Sequence, residues 1–253
     1  MGPFDLTGKK AFVTGASRGI GRAIAVALAQ AGADVALVAR SEDGLAATAA
    51  GVTGAGREAH VIPADVTSQQ EVADAVATAL HRLGHVDIVV NNAGGSNFTV
   101  PFLSLRLPGW DKLMRLNLDS AMYVCHAIGG HLVERGQGSV INVASVAGLV
   151  GSPFLSPYGA AKAGLISLTR SLAVEWAAHG VRVNALCPGW TATDLNRNLW
   201  EDETAGKATV ASVPMQRWGR VEEMTGPALF LASDASSYMT GQALVIDGGQ
   251  TVH

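Results

Sequence analysis

Cysteine is scarce in this chain: Cys125 and Cys187 are the two in 253 residues, and they form neither a CxxC pair nor a zinc pattern. No disulfide scaffold and no metal site is expected, and the reducing cytoplasm is the expected compartment. Charge is sparse too. Charged side chains make up 15% of the residues and the formal net charge is −3, so no basic excess attracts nucleic acid or an anionic membrane. The opening run Met1-Gly2-Pro3-Phe4-Asp5-Leu6 has no basic segment followed by an apolar core, and Leu6 stands where myristoylation needs Ser or Thr. Neither a secretory signal nor N-terminal myristoylation is therefore expected. Residues 136–161 carry no charged side chain, but Ser, Asn, Pro and many Gly interrupt them. A buried strand running into an active-site loop fits that stretch better than a membrane helix.

What is present is apolar and periodic. With 48% hydrophobic residues the chain can bury a substantial core. Short β-branched runs recur at 10–14, 35–39, 59–62, 86–90, 139–143, 181–186 and 243–246. They are nearly continuous rather than alternating, as strands covered on both faces are. Helical patterns at 20–31, 42–50, 69–83, 111–134, 158–179 and 222–232 separate them. This alternation predicts an α/β fold: a Rossmann-type, doubly wound parallel sheet of seven strands with helices on both faces, in a single domain over 1–253. The connection at 189–215 shows no strand signal. Its length and mixed polarity predict a lid over the substrate.

Thr14-Gly15-Ala16-Ser17-Arg18-Gly19-Ile20-Gly21 follows the first strand and opens a helix. Gly15 suits a tight turn; Gly19 and Gly21 suit close approach of the backbone to a pyrophosphate and of the helix to the strand. A helix N-terminus adds unpaired N–H groups and a positive dipole end. The second strand ends in Ala39-Arg40 and not in a carboxylate that would bind a ribose 2′-hydroxyl. Arg40 and Arg18 could instead pair with a 2′-phosphate, which favours NADP with NAD as the alternative. Asp65-Val66 ends the third strand, where Asp65 could accept from an adenine amine. Asn91-Asn92-Ala93-Gly94 ends the fourth, and the Asn pair is either a cleft lining or a local turn.

Tyr158 and Lys162 lie four residues apart, on one helix face. A phenol titrates near pH 10, and a neighbouring ammonium would stabilise its phenolate. Ser145, just past the fifth strand, could hydrogen-bond a substrate oxygen. Together with the glycine turn, these residues point to nicotinamide redox chemistry on a carbonyl or alcohol.

The motifs at 14–21 and 91–94, Ser145, Tyr158-x-x-x-Lys162 and Pro188-Gly189 resemble the short-chain dehydrogenase/reductase family along essentially the whole chain. The resemblance implies a catalytic set of Tyr158 as general acid and base, Ser145 orienting the carbonyl, and Lys162 lowering the Tyr158 pKa and holding the nicotinamide ribose. Asn117 would hold a proton-relay water. It also implies that Gly15, Ser17, Arg18, Gly19, Ile20, Gly21, Ala39, Arg40, Asp65, Val66, Asn92, Ala93, Gly94, Pro188 and Gly189 line the cofactor, with Thr191 and Thr193 closing over the nicotinamide. The chain is similar to 3-oxoacyl reductase-like and sugar-dehydrogenase-like members. The basic residues that carrier-protein reductases present on their interface helices are reduced here to Arg135, Arg170 and His179, which weighs against a carrier-bound substrate. Trp190 and Phe154 are either an apolar wall of the pocket or core. Family members with this layout are commonly homotetramers, built on the helices at 111–134 and 158–179 and on the last strand. Two other readings are an NAD-dependent sugar or polyol dehydrogenase, and a non-catalytic dinucleotide-binding scaffold or redox sensor, since fold alone does not assign function. The intact Ser145, Tyr158 and Lys162 favour an enzyme.

Overall fold

The computed structural model describes residues 2–96 and 98–252; Met1, part of the N-terminal reading, lies outside them. Seven strands, β1 (Lys10–Thr14), β2 (Asp34–Ala39), β3 (Ala59–Pro63), β4 (Ile88–Asn91), β5 (Gly138–Val143), β6 (Val181–Pro188) and β7 (Ala243–Ile246), form one sheet in the order β3-β2-β1-β4-β5-β6-β7. Every pairing is parallel. The order reverses between β1 and β4. Chains leaving those two strands diverge to opposite faces and open a crevice above their carboxyl ends.

The strands are apolar throughout because both faces are covered. Ala11 and Val13 of β1 pack into one core with Ile24 and Leu28 of α1 (Gly19–Gln30), Leu45 and Val52 of α2 (Glu42–Gly54), and Leu231. Phe12, between them, points the other way, into a core with Val72 and Val76 of α3 (Gln69–Leu83) and with Ile128 and Leu132. Ser41 and Ser68 cap α2 and α3, their hydroxyls accepting from the N–H of Gly44 and Glu71. Helix α2 outruns the pattern at 42–50 because Gly51 continues it: a Cβ there would stand 2.8 Å from Val26 Cγ2, so the missing side chain lets α2 lie against α1.

The pattern at 111–134 is not one regular helix. It divides into α4 (Leu107–Met114), a π-helical turn (Arg115–Asp119) and α5 (Ser120–Arg135), which ends at a left-handed Gly136. Helix α6 (Ser156–Trp176) follows β5. The 189–215 connection holds a 3-10 turn (Asp194–Asn196) and two short helices, α7 (Arg197–Trp200) and α8 (Glu203–Val210), and α9 (Thr225–Ala232) precedes β7. β7 forms a sheet edge, as its place at the end of the chain suggests. Among the described residues no helix is long and apolar enough to cross a membrane, and no group of acidic, His or Cys side chains could hold a metal ion.

Candidate active site

A cleft of about 1390 Å³ lies at the carboxyl ends of the strands. It is lined by the glycine turn after β1, Ala39 and Arg40 after β2, Asp65 and Val66 after β3, Asn92 to Gly95 after β4, Ser145 after β5, Tyr158 and Lys162 of α6, and Pro188 to Thr191 with Thr193 after β6.

At the glycine turn, Gly15 (φ +63°) and Gly19 (φ +55°) both occupy the left-handed region. A Cβ at Gly15 would meet Asn92 Nδ2 at 2.7 Å, whereas one at Gly19 would find only Thr193, at 3.8 Å. Gly19 therefore leaves open space at the start of α1. Gly21 differs from expectation: it faces no ligand space but packs on the turn itself, where a Cβ would stand 2.3 Å from Gly15 O. Arg18 caps α1 with no side-chain hydrogen bond to the helix, so the first N–H groups of α1 face the cleft unpaired. A dinucleotide pyrophosphate fits such a cradle.

Arg18 and Arg40 are exposed, and among the described residues neither guanidinium is paired with a carboxylate. Asp65 is partly committed: its Oδ1 accepts from the Thr67 N–H at 2.9 Å and from Thr67 Oγ1 at 2.8 Å. Burial pushes its pKa up, but those two bonds and the field of Arg40 outweigh it and leave the carboxyl below its ordinary value. The Asn pair splits into two roles. Asn92 Nδ2 donates to Thr14 O and Gly15 O and so ties β4 to the glycine turn. Asn91 is buried under the cleft, its Nδ2 donating to Asn142 Oδ1 at 2.9 Å and to Cys125 Sγ at 3.3 Å. It makes no local turn and does not line the cleft.

Ser145, Tyr158 and Lys162 meet at one wall. Ser145 Oγ accepts from the Ala147 N–H at 3.1 Å and keeps its own proton to donate, toward the Tyr158 oxygen beside it. Lys162 is buried, and its Nζ donates to Val143 O at 2.7 Å and stands 5.7 Å from the centre of the Tyr158 ring. Burial lowers the Lys162 pKa to about 8, a buried Cys187 close by opposing it. Tyr158 departs from the expected direction. Burial raises the pKa of its phenol, the Ser145 hydroxyl pulls it down, and the neighbouring Cys187 adds to the rise.

Asn117 sits in the π-helical turn and is buried. Its Oδ1 accepts from the Gly95 N–H at 2.7 Å, and its Nδ2 donates to Gly95 O and Leu113 O at 3.0 Å each. Those bonds use both amide protons, so the side chain is a clamp on the loop after β4. A Cβ at Gly94 would stand 2.7 Å from Asn117 Oδ1 and 3.1 Å from Lys162 Nζ, which puts the clamp beside the lysine.

The connection after β6 folds over the cleft. Leu195 lies on Gly95, where a Cβ would meet its Cδ2 at 2.5 Å. Thr193 N and Oγ1 both donate to Asn196 Oδ1, and Trp200 Nε1 donates to Thr193 O at 2.9 Å. Trp190 lines the cleft and packs edge-on against Trp218 at 5.5 Å. Phe154 is neither core nor cleft wall: it is 59% exposed. Several lining residues had no signal in the sequence, among them Asp111, Lys112 and Gln250. Gln250 reaches the cleft from the turn after β7, and its Oε1 is buried without a hydrogen-bond partner.

The matching family model is that of enoyl-(acyl carrier protein) reductase, over residues 15–251. A gluconate 5-dehydrogenase of Gluconobacter oxydans is 39% identical over 249 residues, covering 98% of this chain and 97% of that protein. Among solved structures, a gluconate 5-dehydrogenase from Burkholderia cenocepacia in complex with NADP and tartrate superposes with a TM-score of 0.94 at 37% identity, covering 99% of this chain and 98% of that one. A short-chain type dehydrogenase/reductase from Mycobacterium marinum superposes with a TM-score of 0.90 at 38% identity, covering 99% of this chain and 98% of that one. With a glycine turn, a Ser-Tyr-Lys wall and end-to-end similarity of sequence and fold, the chain belongs to the short-chain dehydrogenase/reductase family.

Proposed function

We propose that this protein is an NADP(H)-dependent oxidoreductase that moves a hydride between nicotinamide and a carbonyl or secondary alcohol. The convergence of Ser145, Tyr158 and Lys162 on one wall of a dinucleotide-sized cleft carries the reading. The nicotinamide, when bound, supplies or accepts the hydride. Tyr158 delivers a proton to the substrate oxygen during reduction and removes it during oxidation. Its raised pKa keeps the phenol protonated at neutral pH, the form that reduction needs. Ser145 donates its proton to the same oxygen. Lys162, pinned by Val143 O, keeps two further N–H donors for the ribose hydroxyls. Asn117 fixes Gly94 and Gly95 next to that lysine, and any role in a proton relay falls to its main-chain carbonyl, since its amide is committed.

The remaining assignments follow the cleft. Gly15, Ser17, Gly19, Ile20 and Gly21 form the pyrophosphate cradle, directly or by packing; Ala39, Arg40 and Arg18 take the 2′-phosphate; Asp65 and Val66 flank the adenine. Asn92, Ala93 and Gly94 line the middle, and Pro188, Gly189, Thr191 and Thr193 cover the nicotinamide. NADP bound to the Burkholderia relative supports the cofactor choice. Residues 189–215 act as the lid of a single-domain enzyme that assembles as a homotetramer. The free, buried thiols of Cys125 and Cys187 suit a reducing cytoplasm. An NADPH-oxidation screen over a panel of ketones tests the function: turnover of one or more supports it, and tight NADPH binding with no turnover of any contradicts it.

A further inference from the structure

Arg18 and Arg40 reach the cleft from two different loops, and a third guanidinium joins those loops. Arg22 lies in the first turn of α1 and lines the cleft, and among the described residues no carboxylate pairs with it. Its donors go to neutral acceptors instead. Nη2 donates to Ser17 O and reaches Gly44 O at 3.4 Å, and Nε donates to Thr48 Oγ1 at 3.2 Å. Thr48 is fully buried, and its hydroxyl donates to Ala16 O at 2.8 Å, with Gly44 O also in reach at 3.1 Å.

Ser17 O belongs to the peptide that leads into Arg18. Gly44 lies in the first turn of α2, which Ser41 caps directly after Arg40. No side chain at Gly44 holds the two apart: a Cβ there would stand 2.8 Å from Ser17 Cβ. The Arg22 fork and the Thr48 hydroxyl therefore staple the backbone that carries Arg18 to the backbone that carries Arg40. A main-chain bond from Ala16 N to Val38 O at 3.2 Å joins the same loops deeper in the fold, so what the staple fixes is the outer corner, where both arginines are exposed. Two long side chains that must meet on one phosphate bind best when their anchors are already spaced for it.

We infer that Arg22 is a positioning residue for the 2′-phosphate site: it holds the backbones of Arg18 and Arg40 at the spacing that lets both guanidiniums reach one phosphate. The inference rests on the proposed assignment of Arg18 and Arg40 to that phosphate. The pyrophosphate cradle is tied separately, by Asn92 Nδ2 donating to Thr14 O and Gly15 O. Loss of the staple should therefore fall on NADPH and spare NADH.

Fluorescence titration of NADPH and NADH tests this in wild type, Arg22→Lys, Arg22→Met and Thr48→Val. The preference for NADPH over NADH should shrink about fivefold or more in both Arg22 variants and about threefold in Thr48→Val, with the NADH Kd within about twofold throughout. Lysine keeps the charge but replaces the fork with a single ammonium. Thr48→Val changes no charge and carries the test if the Arg22 variants fold poorly. A preference kept by Arg22→Lys overturns the inference, because charge alone would then suffice. A preference unchanged in Arg22→Met and Thr48→Val overturns it too, as does an equal loss of NADH and NADPH affinity, which would make Arg22 a support of the whole glycine turn. In each of these outcomes the preference of wild type, and its loss in Arg18→Ala and Arg40→Ala, leave the cofactor reading standing. A wild type with no preference overturns the inference together with the 2′-phosphate assignment.

Discussion

The Lys162 ammonium donates to the main-chain carbonyl of Val143 at 2.7 Å, so the last residue of β5 holds the lysine of α6 at the cleft wall. Burial brings its pKa to about 8 from an ordinary 10.5. Above about pH 8 the folded protein sheds this proton while the unfolded chain keeps it, so the burden of the buried charge is fully present below that pH and eases as pH rises. The contribution to unfolding free energy therefore increases with pH, by roughly 3 kcal/mol at most. Thermal melts should show wild type gaining on Lys162→Met between about pH 7 and about pH 10. A difference that does not change with pH contradicts the assignment.

In the proposed function the guanidiniums of Arg18 and Arg40 set cofactor choice. NADPH should bind more tightly than NADH, by roughly 1–3 kcal/mol. Arg18→Ala and Arg40→Ala should each erode that gap while leaving the NADH Kd nearly unchanged. Equal affinities in wild type, from fluorescence titration of both cofactors, would show that neither arginine reaches the 2′-phosphate.

The segment 189–215 already rests on the cleft through Leu195 and Thr193, yet its helices α7 and α8 are short, four and eight residues long, with solvent-facing ion pairs such as Lys207–Glu203. Such an element opens at low cost. Limited proteolysis without cofactor should cut there first, and NADPH with a ketone should protect it. Equal cutting in both states would make it a fixed surface loop.

The proposed tetramer would draw on side chains the fold leaves uncovered. Leu165 packs on the sheet, but Val174 on α6 is 82% exposed and Met122 on α5 is 37% exposed. Tyr238, which precedes the edge strand β7, is fully exposed. Closed dihedral assembly would cover both regions. Light scattering coupled to gel filtration should return about four times 26.0 kDa. A monomer mass would refute both surfaces, and a dimer mass would leave one.

How much of this was legible depended on what each residue answers to. Strand positions agree with the apolar runs to within a residue or two because burial on both faces writes itself into composition. The helix at 111–134 was read as continuous, since nothing in the residues Arg115–Asp119 announces a π-helical turn; its cause is tertiary, the Asn117 amide gripping Gly95 across 22 positions. The glycine turn was legible as a turn, but Gly21 could not be told from Gly19: one lies under Asn92, the other under open space. Helices α7 and α8 carried too few residues to show a period. Lys162 was found by its spacing from Tyr158, while the direction of the Tyr158 pKa depends on desolvation, which spacing does not encode. Gln250 gave no signal at all, because an unpaired acceptor exists only once β7 and the lid are folded around it.

The central claim is that Tyr158 exchanges a proton with the oxygen of a carbonyl whose carbon takes a hydride from NADPH. The most direct measurement follows a ketone from the panel with NADPH deuterated at its transferable position, in wild type and in Tyr158→Phe. The account predicts deuterium on the carbinol carbon of the product and a rate about 100-fold or more lower in the variant. A product without the label, or a Tyr158→Phe enzyme within a few fold of wild type, would contradict it.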